Sequence, residues 1–189
     1  MANEQGERVE WRVFWAWDDE KEEAWLRRMA RSGWHLRRPA LFRYTFDRGV
    51  ARDVVYKLDY NVLLRGRREE YMALFRDAGW EHVGEVANWH YFRTAASGGA
   101  APDIFTDTES RVAKYQRLMI ILLILLPTQF VLVSRLAERV RAVPGEPMGP
   151  FGAVGTFFYG LILAFFVYAL ARLGLHIVRL RRKGREEAP

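Results

Sequence analysis

The sequence predicts an α+β protein: a duplicated βαββ soluble domain, in which an antiparallel sheet carries two helices on one face, followed by a two-helix transmembrane hairpin. Three observations predict this fold class. A pattern of strand, helix and Gly-Trp occurs twice in the first half of the chain, and two long apolar runs follow it. The charge also divides, because residues 1–110 carry a net charge of −2 and residues 111–189 carry +8.

The first unit opens with a strand in "VEWRVFWAW". Large apolar residues occupy every second position from Val9 to Trp17. This alternation is typical of a strand that buries one face, so Trp11 and Trp15 are expected in the core.

A helix follows, beginning at Asp18 or Asp19. Its first turn is acidic and its last turn is basic, which suits the helix dipole, and the run "DDEKEE" is interpreted as a solvated first turn. Gly33 ends the helix as a left-handed stop. Strands are predicted at 34–36 and at 41–47, which completes a βαββ unit.

The second unit repeats this order between residues 54 and 96. A strand is followed by the helix "RREEYMALFRDAG", which ends at Gly79, and by two further strands. A shift of 46 residues superposes Gly33 on Gly79 and Phe46 on Phe92, whereas the first strand needs a shift of 47. One βαββ unit cannot bury both its sheet and its helix stripe, so two units are expected to pair in the soluble domain, residues 1–96.

A ligand-binding cleft between the two units is one interpretation of the aromatic residues. Equivalent residues of a pseudo-symmetric pair can present two faces to one guest, and aromatic faces suit an apolar, flat or cationic molecule. The other interpretation is that these side chains are packed core. The candidates are Trp34, Trp80, Tyr44 and Trp89.

Catalytic motifs give no candidate residue. The sequence has no Gly-rich phosphate loop, no nucleophile elbow and no HExxH. His82 and His90 fall on neighbouring predicted strands and could approach each other, and His35 lies near the equivalent place in the first unit. A three-histidine metal site would need an inward convergence that strand alternation does not ensure. They are interpreted as surface or core-edge residues, so we predict no catalytic residue, no metal and no cofactor.

Two apolar runs predict transmembrane helices at 118–134 and 151–171. At 1.5 Å per residue they span roughly 25 and 31 Å, against a hydrocarbon core of about 30 Å. The alternative, a pair of buried core helices, is disfavoured because the rest of the chain is too small to cover both. Residues 97–117 are predicted to form a linker and juxtamembrane helix.

Basic residues flank these runs and predict the orientation. Positive residues concentrate before the first span and in the tail 172–189, whereas the loop 135–150 carries three. The positive-inside bias places both termini in the cytoplasm and the short loop outside, in a two-pass protein of the cell membrane. The topology anchors are Arg117, Arg172, Arg179, Arg181, Arg182 and Lys183.

The quoted segments resemble a known family, the bacterial membrane proteins of domain of unknown function 2812. The matching pieces include "FWAWDDEKEEAWLRRMARSGWHL", "VVYKLDY", "YMALFRDAGWEHV", "NWHYFR" and "IFTDTESRVAKYQRL". The resemblance implies hydrophobic spans after the soluble domain. It implies no activity, so it transfers no catalytic residue.

The leading hypothesis is a non-enzymatic, membrane-tethered cytoplasmic sensor or adaptor that binds a protein or a small ligand. The alternative is an accessory subunit of a transporter or another membrane complex, and an enzyme ranks third. The expected partners are the lipid bilayer and either another membrane protein or a second copy of the chain. Nucleic acid is not expected, because the basic excess flanks the apolar runs and not the folded domain.

Overall fold

The structure is a computed structural model that describes residues 6–63, 66–96, 108–141 and 150–186. The chain divides into two compact units, Met1–Lys114 and Tyr115–Pro189. The first contains β1 (Glu7–Trp11), α1 (Asp19–Arg31), β2 (Trp34–Ala40), β3 (Arg43–Arg48), β4 (Val54–Tyr60), α2 (Arg68–Asp77), β5 (Glu81–Val86), β6 (Trp89–Ala95) and the start of α3 (Thr108–Arg141); α4 (Pro150–Glu186) lies in the second.

Each βαββ unit builds its own three-stranded antiparallel sheet, with the order β1-β3-β2 in the first and β4-β6-β5 in the second. The strands thus form two sheets and not one continuous sheet. The edge strands β2 and β5 lie against each other without a ladder. Pro39 in β2 has no N–H to donate, and it sits so near β5 that a Cβ on Gly84 would lie 2.8 Å from its ring.

The two sheets also share an irregularity at equivalent positions. The register of β2 shifts between Leu36 and Arg38, and that of β5 shifts between His82 and Gly84, 46 residues later. Such bulges turn the side chains of a strand.

The first strands follow a different offset from the one predicted. Arg8 pairs with Phe46 and Lys57 with Phe92, so β1 and β4 are related by 49 residues and not by 47. The second unit is shorter before its glycine, because α2 has 10 residues where α1 has 13.

The helices α1 and α2 both end as predicted. Gly33 has a φ of 80° and Gly79 a φ of 81°. Both values lie in the left-handed region that favours glycine, so the predicted helix stops are confirmed.

The first strand is shorter than the alternation predicted. β1 ends at Trp11, opposite Arg43, where its partner strand begins. Trp11 is 72% exposed and Trp15 is 47% exposed, so these residues do not form the core. Phe14, predicted on the opposite face, packs instead against Trp25, with ring centroids 5.6 Å apart.

The helices cover two hydrophobic cores. α1 contributes Trp25, Leu26 and Ala30 to the larger core, which includes residues of β2, β3, β4 and β6.

The smaller core lies under α2, where the ring of Phe75 stacks on that of Phe92 with their centroids 3.9 Å apart. Leu74 is 66% exposed, and the packed face of α2 is formed by Tyr71, Met72 and Phe75.

α3 and α4 are both long and apolar enough to cross a membrane, over Val112–Arg135 and Val154–Arg182. The predicted spans 118–134 and 151–171 lie within helices of 34 and 37 residues, so part of the predicted loop 135–150 and of the predicted tail is helical. Residues 142–149 and most of the linker lie outside the described residues. Apolar side chains such as Phe130, 72% exposed, and Phe157, 64% exposed, face outward. Such faces are not those of buried core helices.

Candidate functional site

A cavity of about 200 Å³ opens within the first compact unit, between the two βαββ units. Its walls come from the segment before α1, from α1 itself, and from the turns that join β2 to β3 and β5 to β6. The walls are mainly aromatic and aliphatic, and two carboxylates line them. The lining residues include Phe14, Trp15, Asp19, Glu22, Phe42, Tyr44, Leu58, Ala87, Trp89 and Tyr91.

Glu22 is the polar centre of this cavity. The side chain is 5% exposed, and it accepts hydrogen bonds from the hydroxyls of Tyr44, at 2.8 Å, and of Tyr91, at 2.7 Å. Burial raises the pKa of Glu22 to about 7, which the two hydroxyl donors oppose and the charges of Asp19 and Glu23 reinforce. Glu22 is therefore poised between its two protonation states near neutral pH.

The two tyrosines remain hydrogen-bond donors. Burial and the neighbouring Glu22 raise the pKa of both Tyr44 and Tyr91 well above the usual value. Tyr44 lies on β3 and Tyr91 on β6, so hydroxyls from both units hold one carboxylate.

Asp19, one turn earlier on α1, is also buried. Its carboxylate is ion-paired with Lys114, on the second turn of α3, which also donates to the carbonyl of Leu58 at 3.2 Å. The Lys114 ammonium lies 5.9 Å from the centroid of the Trp89 ring. The first compact unit thus includes the beginning of α3.

Glu23 completes a buried acidic face on α1. Its carboxylate accepts the N–H of Leu58 at 2.9 Å and pairs with Lys57 at 3.0 Å. Burial raises its pKa, and the charges of Lys57 and Lys114 oppose that change.

The interpretation of "DDEKEE" as a solvated first turn was wrong for three of its residues. Asp19, Glu22 and Glu23 are 2%, 5% and 8% exposed. Their spacing of three and four residues places them on one helix face, and the same stripe continues to Leu26 and Ala30. This continuation of the acidic positions into the apolar stripe was the sequence signal from which their burial could have been predicted.

The rim of the cavity is apolar and partly strained. Leu41 and Phe42 are 65% and 42% exposed at the turn between β2 and β3. Phe42 has a φ of 59°, and Ala87 in the turn between β5 and β6 has a φ of 49°. Non-glycine residues rarely adopt this conformation, and strained backbone is often found at ligand clamps.

The four predicted ligand-binding residues do not lie together. Tyr44 and Trp89 are walls of the cavity. Trp34 belongs to the larger core, with the guanidinium of Arg48 4.9 Å from its ring, and Trp80 belongs to the smaller core. The two tryptophans at equivalent sequence positions therefore both pack in a hydrophobic core and do not line the cavity.

A second cluster of polar side chains lies on the hairpin of β5 and β6. One ligand-type atom from each of His82, Glu85 and His90 falls within 4.8 Å of the others. Regular alternation would place His82 and Glu85 on opposite faces of the strand, so a regular strand would not bring them together. The bulge after His82 changes that alternation.

The fold defines an α+β domain of two βαββ units, joined in one chain to two long apolar helices. Residues 18–126 match the family model described as "Protein of unknown function (DUF2812)", and the chain belongs to this family. No curated protein and no solved structure matches the chain.

Proposed function

We propose that the protein is a non-enzymatic, membrane-tethered sensor whose soluble domain binds a small amphipathic cation, such as an amine with a single apolar ring. The observation that carries this proposal is the buried Glu22 carboxylate in an aromatic cavity. The cavity volume of about 200 Å³ suits a molecule of this size and not a long chain.

The charge balance around Glu22 favours a cationic ligand. Asp19 and Glu23 each have a lysine partner. In the part of the chain that the structure describes, Glu22 is held by two neutral hydroxyls and by no ion pair. A buried carboxylate without a countercharge is costly, so a ligand that brings a positive charge gains binding free energy there.

The walls supply the other half of the recognition. The rings of Phe14, Tyr44 and Trp89 face the same cavity as Glu22. Aromatic faces attract cations and also bury apolar rings, so an arylalkylamine would satisfy both kinds of contact.

The test compares matched ligands on the full chain in detergent. Phenethylamine and phenethyl alcohol differ in the charged group, and the melting temperature of the first unit is read from tryptophan fluorescence, since all seven Trp lie between residues 11 and 89. The amine should raise the melting temperature and the alcohol should not. Glu22→Gln should abolish the shift, whereas Glu20→Gln, an exposed acid on the same helix, should retain it.

The membrane part of the proposal is a two-pass anchor with both termini in the cytoplasm. Its support is the pair of long, apolar, outward-facing helices and the nine basic residues that flank them on one side, against three in the connecting segment. A reporter active only in the cytoplasm should work when fused at Met1 or Pro189 and fail when inserted near Gly145. Activity near Gly145 would contradict this orientation.

An accessory role in a membrane complex is the second candidate. Gly160 and Ala164 lie one turn apart on α4 as a small-xxx-small pair, and no atom of the described residues lies within 4 Å of a Cβ placed on Gly160, which leaves this face open to another helix. Gly160→Leu should then release a membrane partner or a second copy of the chain from a purified complex, without changing amine binding at Glu22.

A further inference from the structure

Among the described residues, two buried imidazole nitrogens on the hairpin of β5 and β6 have no hydrogen-bond partner, Nε2 of His82 and Nδ1 of His90. One ring nitrogen of each histidine and one carboxylate oxygen of Glu85 lie within 4.8 Å of one another. We propose that His82, Glu85 and His90 form a binding site for a divalent transition-metal ion of the zinc type.

The orientation of His90 leaves its Nδ1 available to a metal ion. Its Nε2 lies 3.1 Å from the backbone carbonyl of Asn61, and a carbonyl only accepts, so Nε2 carries the proton. In the neutral ring, Nδ1 then presents a lone pair. A backbone carbonyl that fixes the tautomer in this way is the usual support of a metal-ligating histidine.

The distance between His90 and Glu85 matches the distance between two ligands of one metal ion. Nδ1 of His90 lies 3.3 Å from Oε2 of Glu85. A lone pair and a carboxylate oxygen repel each other unless a proton or a metal ion lies between them. Two ligands about 2.1 Å from a tetrahedral zinc ion are roughly 3.4 Å apart, so the pair already has the separation that a metal requires.

His82 supplies the third ligand. The register shift between His82 and Gly84 adds a residue to β5, which brings His82 and Glu85 to the same side of the strand. Among the described residues, Nε2 of His82 has no hydrogen-bond partner, so it can bind the ion. Burial lowers the pKa of both histidines, which favours the neutral, metal-binding form.

The donor set selects the kind of metal. Two imidazoles and one carboxylate suit zinc, nickel, copper or cobalt, and not calcium or magnesium, which prefer oxygen ligands. Three protein ligands leave one tetrahedral position for water. His82 also lines a cleft of about 500 Å³ beside α2, which gives the ion a route from solvent.

Arg68 is the competitor of the metal. Its guanidinium donates to Oε2 of Glu85 at 2.7 Å, in an exposed pair that is weak in water. A metal would have to displace this contact. Removing Arg68 should therefore strengthen metal binding, which loss of a structural residue would not do.

The test uses the untagged full chain in detergent, stripped with a chelator and titrated with Zn²⁺ against a chromophoric chelator. We expect one Zn²⁺ per chain. His82→Gln and His90→Gln should each lower the affinity by more than the about 10–100-fold that loss of a supporting contact costs. Arg68→Gln should raise it. His35→Gln is the matched control. The His35 ring lies in the first βαββ unit and hydrogen-bonds to the carbonyl of Val50, so this variant should leave the Zn²⁺ affinity unchanged.

Cobalt provides an independent readout. Co²⁺ bound at this site should give the intense visible absorption of tetrahedral coordination, and Glu85→Gln should weaken it. The proposal is overturned if the stripped protein binds no Zn²⁺, or if His35→Gln and His90→Gln lower the affinity equally. It is also overturned if Arg68→Gln fails to raise the affinity while circular dichroism shows a folded protein.

Discussion

The carboxylate of Glu22 in α1 accepts a hydrogen bond of 2.7 Å from the hydroxyl of Tyr91 in β6. The two residues are 69 positions apart and belong to different βαββ units. A buried acid of one unit is thus held by the other, and the cavity forms where the two units meet.

The first prediction concerns the pH dependence of stability at Glu22. Its pKa rises from 4.5 to about 7 on folding, so the folded state holds a proton that the unfolded state has lost. This stabilisation is fully present below pH 4.5 and is lost as the pH rises through 7. The shift corresponds to about 3 kcal/mol. Glu22→Gln, which still accepts from both tyrosines, should therefore be more stable than the natural protein at pH 8 and about equal to it at pH 4.5.

Denaturant unfolding followed by tryptophan fluorescence measures this difference. Glu20→Gln serves as the control, because Glu20 is exposed on the same helix and should show no such crossover. A free-energy difference between Glu22→Gln and the natural protein that stays constant from pH 4.5 to pH 8 would refute the assignment.

The second prediction concerns the pair of Lys114 and Asp19. Both side chains are buried, so Lys114→Met leaves a buried carboxylate without its partner. We expect a loss of about 3–5 kcal/mol in the free energy of unfolding of the first unit. The double variant Asp19→Asn, Lys114→Met should recover much of this loss, and a double variant no more stable than Lys114→Met would contradict the pairing. A fragment that ends at residue 96 should be weakened for the same reason.

The third prediction compares the two helix stops. Both glycines have positive φ, but a Cβ at Gly33 would lie 2.9 Å from the carbonyl oxygen of Gly49, whereas a Cβ at Gly79 would meet no atom of the described residues within 4 Å. Gly79→Ala should cost about 1 kcal/mol from backbone conformation alone. Gly33→Ala should cost a further 1–3 kcal/mol, roughly, because the backbone must shift. Equal losses in chemical unfolding would argue against this close approach.

The fourth prediction separates core from pocket among the tryptophans. Trp80 is 4% exposed in the smaller core, so Trp80→Ala should lose about 3–5 kcal/mol of stability. Trp89 lines the cavity and is partly exposed, so Trp89→Phe should keep the fold but weaken amine binding. The melting temperature with and without phenethylamine checks both variants. If phenethylamine raises the melting temperature of Trp89→Phe as much as that of the natural protein, Trp89 does not contribute to amine binding.

The sequence predicted the features that depend on local chemistry. The helix ends at Gly33 and Gly79 were predicted because a left-handed helix end favours glycine. The two long apolar helices were predicted because a helix that spans a membrane needs a long apolar run. Alternation failed at Trp11 and Trp15, since a strand continues only as far as its partner does. Here the partner begins at Arg43.

The candidate site was only half predictable. Tyr44 and Trp89, predicted because aromatic residues of paired units often meet at a cleft, line the cavity, and their role in binding stays a prediction. Glu22 was missed because charged residues at a helix start usually face water, and only tertiary packing shows that a second unit covers them. The approach of His82 to His90 was considered, but the convergence of Glu85 with them was missed, because a bulge has no clear mark in a single sequence.

The central claim is that an ionised Glu22 receives the charged group of the ligand. Calorimetric titration of the full chain with phenethylamine at pH 6 and at pH 8 tests it most directly, because burial raises the pKa of Glu22 to about 7, between these two pH values. The affinity should rise about tenfold from pH 6 to pH 8, as Glu22 loses its proton, and this rise should vanish in Glu22→Gln. An affinity that is the same at both pH values, or that Glu22→Gln leaves intact, would contradict the account.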